Sequence, residues 1–117
     1  MKISMRHIAA DILEGWIEIL KANRFIIELA LQDMDASGRW VIPSDVLLSK
    51  REKYRAHKER LKRIRQRLLR KRLPKELTLF SLVNDVNRAM KDVMLTKGEL
   101  DRLVRNCPKV RAFVENL

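Results

Sequence analysis

Turn-forming residues are scarce in this chain, and their positions leave long stretches that nothing interrupts. There are three glycines and three prolines in 117 residues. Gly38, Pro43, Pro74, Gly98 and Pro108 supply the breaks. An all-β fold needs many more turn residues, so this punctuation points to an all-α fold of long helices with short links. A chain of this length suits a single domain, and its core needs no metal or disulfide staple, which usually becomes necessary only below ~40 residues. With 46% hydrophobic and 35% charged residues, the composition is that of a folded chain rather than a disordered one.

Apolar periodicity places the helices at about 5–34, 45–73, 75–95, 97–106 and 108–116. In the first, with Ser4 as N-cap, Ile8, Ile12, Trp16, Ile19, Leu20, Ile27, Ala30, Leu31 and Met34 share one face at 100° per residue. Asn23 lies on that apolar face as its odd member; the phase holds through it, so one continuous helix is expected, with a local break or a capped kink there as the alternative. Phe25 and Leu29 lie off the stripe and point to a second contact surface. Gly38 ends the helix, and Trp40-Val41-Ile42-Pro43 reads as a core-plugging link, with Ser44 as the next cap. In the second helix, Tyr54, His57, Leu61, Ile64 and Leu68 follow the 3-4 spacing of a coiled-coil seam. In the third, Leu79, Val83, Val86, Met90 and Val93 do the same. A turn at Leu73-Pro74 would fold the two into a long antiparallel hairpin, packed against or swapped with the first helix, pairing residues whose numbers sum to 147. The alternative is a Pro-kinked continuous helix that dimerises. Thr96 and Glu99 match a capping box, and Pro108 suits the first position of a helix.

The charge is unevenly distributed. Residues 1–49 carry a net −2, residues 50–72 a net +11 and residues 73–117 a net +2, so one 23-residue segment holds the whole excess of +11. Eight of its thirteen basic residues are Arg, whose planar fork matches phosphate geometry. Like charges such as Lys58–Lys62, Arg63–Arg67 and Arg67–Lys71 each cost a helix ~0.2–0.5 kcal/mol at i,i+4 spacing. Glu52 and Glu59 are their local relief, and a polyanion would remove the repulsion while releasing counterions. With the apolar seam inward, Arg51, Arg55, Lys62, Arg63 and Arg70 are expected to face outward, and Lys58, Arg60, Arg65 and Arg67 to flank them. Lys71 and Arg72 complete the set. Aromatic residues are few there, which favours contact with the phosphates of duplex DNA or structured RNA over base stacking on single strands. The expected function is therefore nucleic-acid binding in a regulatory or accessory role. An acidic protein partner is the alternative, and a homodimer fits the length of the second helix. Acids of the first helix, Asp11, Glu14, Glu18 and Glu28, could instead neutralise part of the charge internally.

Other chemistry finds little support. Two histidines and one cysteine form no recognisable metal set. Cys107 has no nearby His to activate it, and the isolated glycines make no phosphate loop. No enzyme activity, cofactor or metal is expected. Asp11, Glu14 and Glu18 interrupt the N-terminal apolar run, and no long uncharged stretch follows, so neither a secretory leader nor a membrane span is expected. With one cysteine, an intracellular location is the natural expectation. A helix-turn-helix formed by the last two helices, with Lys109 and Arg111 as its readers, is the minor alternative.

Overall fold

A computed structural model describes residues 5–70 and 79–117 and is all-helical, with no strand among the described residues. The helices are α1 (Met5–Ser37), α2 (Ser44–Leu69), α3 (Leu79–Val93), α4 (Lys97–Asn106) and α5 (Pro108–Glu115). The expected cap at Ser4, the turn at Leu73-Pro74, the start of the third helix near Lys75 and the cations Lys71 and Arg72 lie outside the described residues.

Local signals set several boundaries. Gly38 takes φ +69°, a left-handed conformation that costs glycine no Cβ clash, and its N–H donates to the Met34 carbonyl at 2.9 Å. At α4 the Thr96 hydroxyl accepts from the Glu99 N–H, while the Glu99 carboxylate accepts from the Thr96 N–H. This is the reciprocal arrangement that satisfies two orphan donors of a helix start. Pro108 occupies the first turn of α5. Ser44 differs from expectation. It is the first residue of α2, Pro43 holds the cap position, and no side chain caps the helix. The Pro43 carbonyl instead accepts from the Val46 N–H at 3.1 Å, a tight first turn that leaves the Ser44 hydroxyl without a capping role.

Two apolar clusters make the core. One joins Ala10, Leu13, Ile17 and Leu20 of α1 to Tyr54, Leu61, Ile64 and Leu68 of α2 and Leu82, Ala89 and Val93 of α3. The other joins Ile27, Ala30 and Met34 of α1 to Ile42, Leu47, Leu103, Cys107 and Val110. In the linker, Ile42 is buried and does plug the core, whereas Trp40 is exposed.

Two expected faces are corrected. In the first half of α1, Ile8, Ile12 and Ile19 are 39%, 55% and 43% exposed, and α1 buries Ala10, Leu13 and Ile17 instead. This half of the helix is apolar on two sides, and packing against α2 selects the narrower one. Among the described side chains of α3, which exclude the expected seam residue Leu79, the buried set is Leu82, Ala89 and Val93, with Val86 partly covered and Val83 exposed. That seam is turned from the expected Val83–Val86–Met90–Val93 line. The cause is a third helix: α3 packs on α1 as well as α2, so its apolar edge points into the groove between them. Trp16 of α1, Leu61 of α2 and Val86 and Met90 of α3 border one narrow apolar gap there.

Asn23 does not break α1. It is 5% exposed, its Nδ2 donates to the Val93 carbonyl at 2.9 Å, and its Oδ1 accepts from the Leu95 N–H at 3.0 Å. Lys50 Nζ donates to the Met94 carbonyl at 2.7 Å. Side chains of α1 and α2 therefore satisfy backbone groups that the end of α3 leaves unpaired.

Candidate nucleic-acid interface

The basic segment is built into the fold through the buried residues Tyr54, Leu61, Ile64 and Leu68, which fix which way its charges point. The cations flanking this seam meet acids on neighbouring helices. On the α1 side, Arg51 lies 3.4 Å from Glu28 and Arg65 lies 3.2 Å from Glu14. On the α3 side, Arg60 lies 3.1 Å from Asp85, and His57 Nε2 is 3.0 Å from an oxygen of Asp92. His57 is thus a packed residue with a carboxylate partner. The order of these contacts, Arg60 to Asp85 and His57 to Asp92, runs α2 and α3 in opposite directions. At the start of α2, Lys50 reaches Glu99 at 3.3 Å.

Acids of the first helix therefore neutralise some of the basic segment, but selectively. Glu14 and Glu28 engage α2, whereas Glu18 pairs with Lys21 on its own helix at 3.1 Å and Asp11 makes no ion pair among the described residues. Lys58 is occupied differently. Its ammonium sits 5.4 Å from the centre of the Tyr54 ring, and Arg24 covers the same ring at 5.5 Å. Tyr54 is buried, and burial pushes its pKa up. Its ring is therefore a cation–π seat inside the fold and offers no platform to a base.

Five of the expected contact residues remain: Arg55, Lys62, Arg63, Arg67 and Arg70. None makes an ion pair among the described residues, and all but the half-buried Lys62 are exposed. Arg51, Arg60 and Arg65, expected in the contact set, hold carboxylates instead. Two cations outside that set belong with the open group. Lys53 is exposed on the same helix, and Arg88 of α3 lines a cleft of about 260 Å³ together with His57, Arg60, Arg63 and Asp85. Arg88 could have been suspected from its place on the helix expected to pair with the basic one.

The C-terminal helices present no comparable surface. Lys109 is held by its N–H to Asp33 at 2.8 Å and by its Nζ to Gln32 at 3.1 Å. Arg111 donates to the Val104 and Arg105 carbonyls at 3.0 and 2.7 Å. Phe113 packs on Phe25 with ring centres 4.9 Å apart, which accounts for the second apolar surface of α1. Both side chains that a helix-turn-helix would need for reading bases are thus committed within the molecule. Burial, with the nearby Asp33 charge, pushes the Cys107 thiol up, the opposite of what activates a nucleophile.

None of the protein families, characterised proteins or solved structures compared with this chain matches it. The functional reading therefore rests on its own residues.

Proposed function

We propose that this protein binds nucleic acid, in a regulatory or accessory role, through the outward arc of α2, contacting phosphates of duplex DNA or structured RNA. The observation that carries the reading is what internal pairing leaves over. Carboxylates of α1, α3 and α4 take Arg51, Arg65, Arg60 and Lys50, yet Arg55, Lys62, Arg63, Arg67 and Arg70 have no ion-pair partner among the described residues. Within that set Arg63 and Arg67 form a like-charge pair at i,i+4, which costs ~0.2–0.5 kcal/mol. Phosphates would offset that repulsion and release counterions. In this reading α2 and α3 form an antiparallel hairpin. No described helix is long and apolar enough to cross a membrane.

The test is a salt titration of binding to duplex DNA, structured RNA and single strands. Engagement of about six phosphates on DNA gives a slope of log K against log salt near −5. Charge reversal of Arg55, Arg63, Arg67 and Arg70 to Glu abolishes binding and leaves helicity intact. Loss of helicity would instead assign these charges to the fold. Absence of binding to all three probes at low salt refutes the reading, and a stoichiometric acidic protein that nucleic acid cannot displace would take its place. A homodimer belongs to the same proposal. Ile8, Ile12 and Ile19 leave an apolar stripe of α1 uncovered, and a second copy would bring two basic arcs into one particle. Sedimentation equilibrium of the wild type and Ile12→Glu checks it: the variant is a monomer at concentrations where the wild type is a dimer.

A further inference from the structure

Among the described residues, three grooves along α2 differ in how much positive charge they leave uncompensated. The largest, about 960 Å³, lies between α1 and α2 and sets Arg24, Arg51, Arg55 and Lys58 against Glu28, Glu52 and Glu59, a formal net of +1. A second groove on that side sets Lys21, Lys62 and Arg65 against Glu14 and Glu18, again +1. The cleft between α2 and α3 sets Arg60, Arg63 and Arg88 against Asp85 alone, a net of +2 with His57 neutral. Moreover, Asp85 is already bound by Arg60, whose Nη2 lies 3.1 Å from one carboxylate oxygen and 3.2 Å from the other. The second carboxylate nearby, Asp92, is taken by His57. Arg63 and Arg88, both exposed and both without an ion pair among the described residues, are left on opposite walls of one cleft, one from each helix.

From this asymmetry we infer that the α2–α3 cleft is a phosphate seat, with Arg63 and Arg88 as its two jaws. The inference rests on the proposed function and adds to it the direction in which the bound backbone runs. The polyanion leaves the arc of α2 on the α3 side, where free guanidinium groups face an acid already neutralised. It does not enter the α1-side grooves, whose rims carry Arg55 and Lys62 but whose linings hold five carboxylates. Two guanidinium forks converging from separate helices suit one backbone phosphate, which offers oxygens to both. Arg60 contributes by holding Asp85, which would otherwise repel the anion.

The experiment has two arms. In the first, duplex binding is titrated with salt for wild type, Arg88→Gln, Arg63→Gln and Arg102→Gln, the last an exposed arginine of α4 that removes the same charge elsewhere. Loss of one phosphate contact reduces the slope by about 1 and weakens binding evenly across sequences. Arg88→Gln and Arg63→Gln should each show this, and Arg102→Gln should not. In the second, inorganic phosphate is titrated into the full chain while the Nε–Hε resonances of the arginines are followed by NMR. Arg63 and Arg88 should shift together, ahead of Arg102. If Arg88→Gln leaves the slope unchanged while Arg55→Gln lowers it, the seat is wrong and the α2 reading stands. If wild type binds no nucleic acid but phosphate still moves Arg63 and Arg88, the α2 reading fails and the seat stands as a site for free phosphate. If phosphate moves neither, the seat is overturned.

Discussion

The two ends of the molecule treat their polar groups differently. Around α4 and α5 nearly every feature is closed on itself. A reciprocal capping box starts α4, Lys50 holds Glu99, Asp33 and Gln32 hold Lys109, and Arg111 ties down two carbonyls. Along the outer side of α2 the opposite holds: Arg55, Arg63, Arg67 and Arg70 are exposed and make no ion pair among the described residues. Both ends have a buried apolar cluster of similar make-up, so the difference does not come from the core. It lies in the surface: one end commits its charges within the molecule, and the outer side of α2 does not.

If the two clusters are comparable cores, emptying either should cost about the same. Leu103 and Leu61 are both fully buried, one in each cluster. Replacing either with Ala should destabilise the protein by ~2–5 kcal/mol, the range for leucine truncation in a close-packed interior. Urea unfolding followed by far-UV circular dichroism measures this. A single transition for both variants means the clusters fold as one unit. If Leu103→Ala instead melts α4 and α5 while α1–α3 keep their helicity, the closed end is an independent unit.

Asn23 is where that coupling should be tested next. It stands between the clusters on α1 and bonds both Val93 and Leu95, where the chain passes from α3 toward α4. Asn23→Ala leaves a largely buried N–H and C=O without partners, which should cost about 1–3 kcal/mol. The loss should also appear as faster amide exchange at Leu95. A neutral result would mean that water replaces the amide and that the joint is looser than its geometry.

How much of this was legible in the sequence depended on the range of the interaction. The Thr96–Glu99 box, Pro108 and the Gly38 stop are written within four residues of the feature they set, and the structure has all of them. The inward faces of α1 and α3 were not legible to the same degree. Ile8, Ile12 and Ile19 are as apolar as Leu13 and Ile17, and only the position of α2 decides between them. The role of Asn23 on the apolar face was not legible because its partners lie some seventy residues away. At the candidate site the basic segment was plain, but pairing distance was not. Arg51, Arg60 and Arg65 are as basic as Arg55 and Arg63, and differ in having a carboxylate opposite. Arg88 escaped notice because the stretch from 73 to 117 is close to neutral as a whole, and regional net charge hides one arginine facing a cleft.

The smallest expected effect concerns the closed end alone. Burial by itself would raise the pKa of Glu99, but the hydrogen bond from the Thr96 N–H and the Lys50 ammonium overcome it and hold the carboxyl below its ordinary value. A carboxylate whose folded pKa is depressed stabilises the protein above its unfolded pKa. That contribution fades as pH falls through the lowered folded value, so acid should weaken this end first. Thr96→Ala removes one half of the capping box and should cost ~1 kcal/mol at neutral pH. It should change the acid dependence only slightly, because the backbone N–H at position 96 and the Lys50 ammonium still hold the Glu99 carboxylate. Chemical denaturation of wild type and Thr96→Ala at neutral pH and at a pH below the ordinary glutamate range checks both. Equal losses at the two pH values are the expected result; a clearly smaller loss in acid would show that the Thr96 hydroxyl itself helps to hold the Glu99 carboxylate.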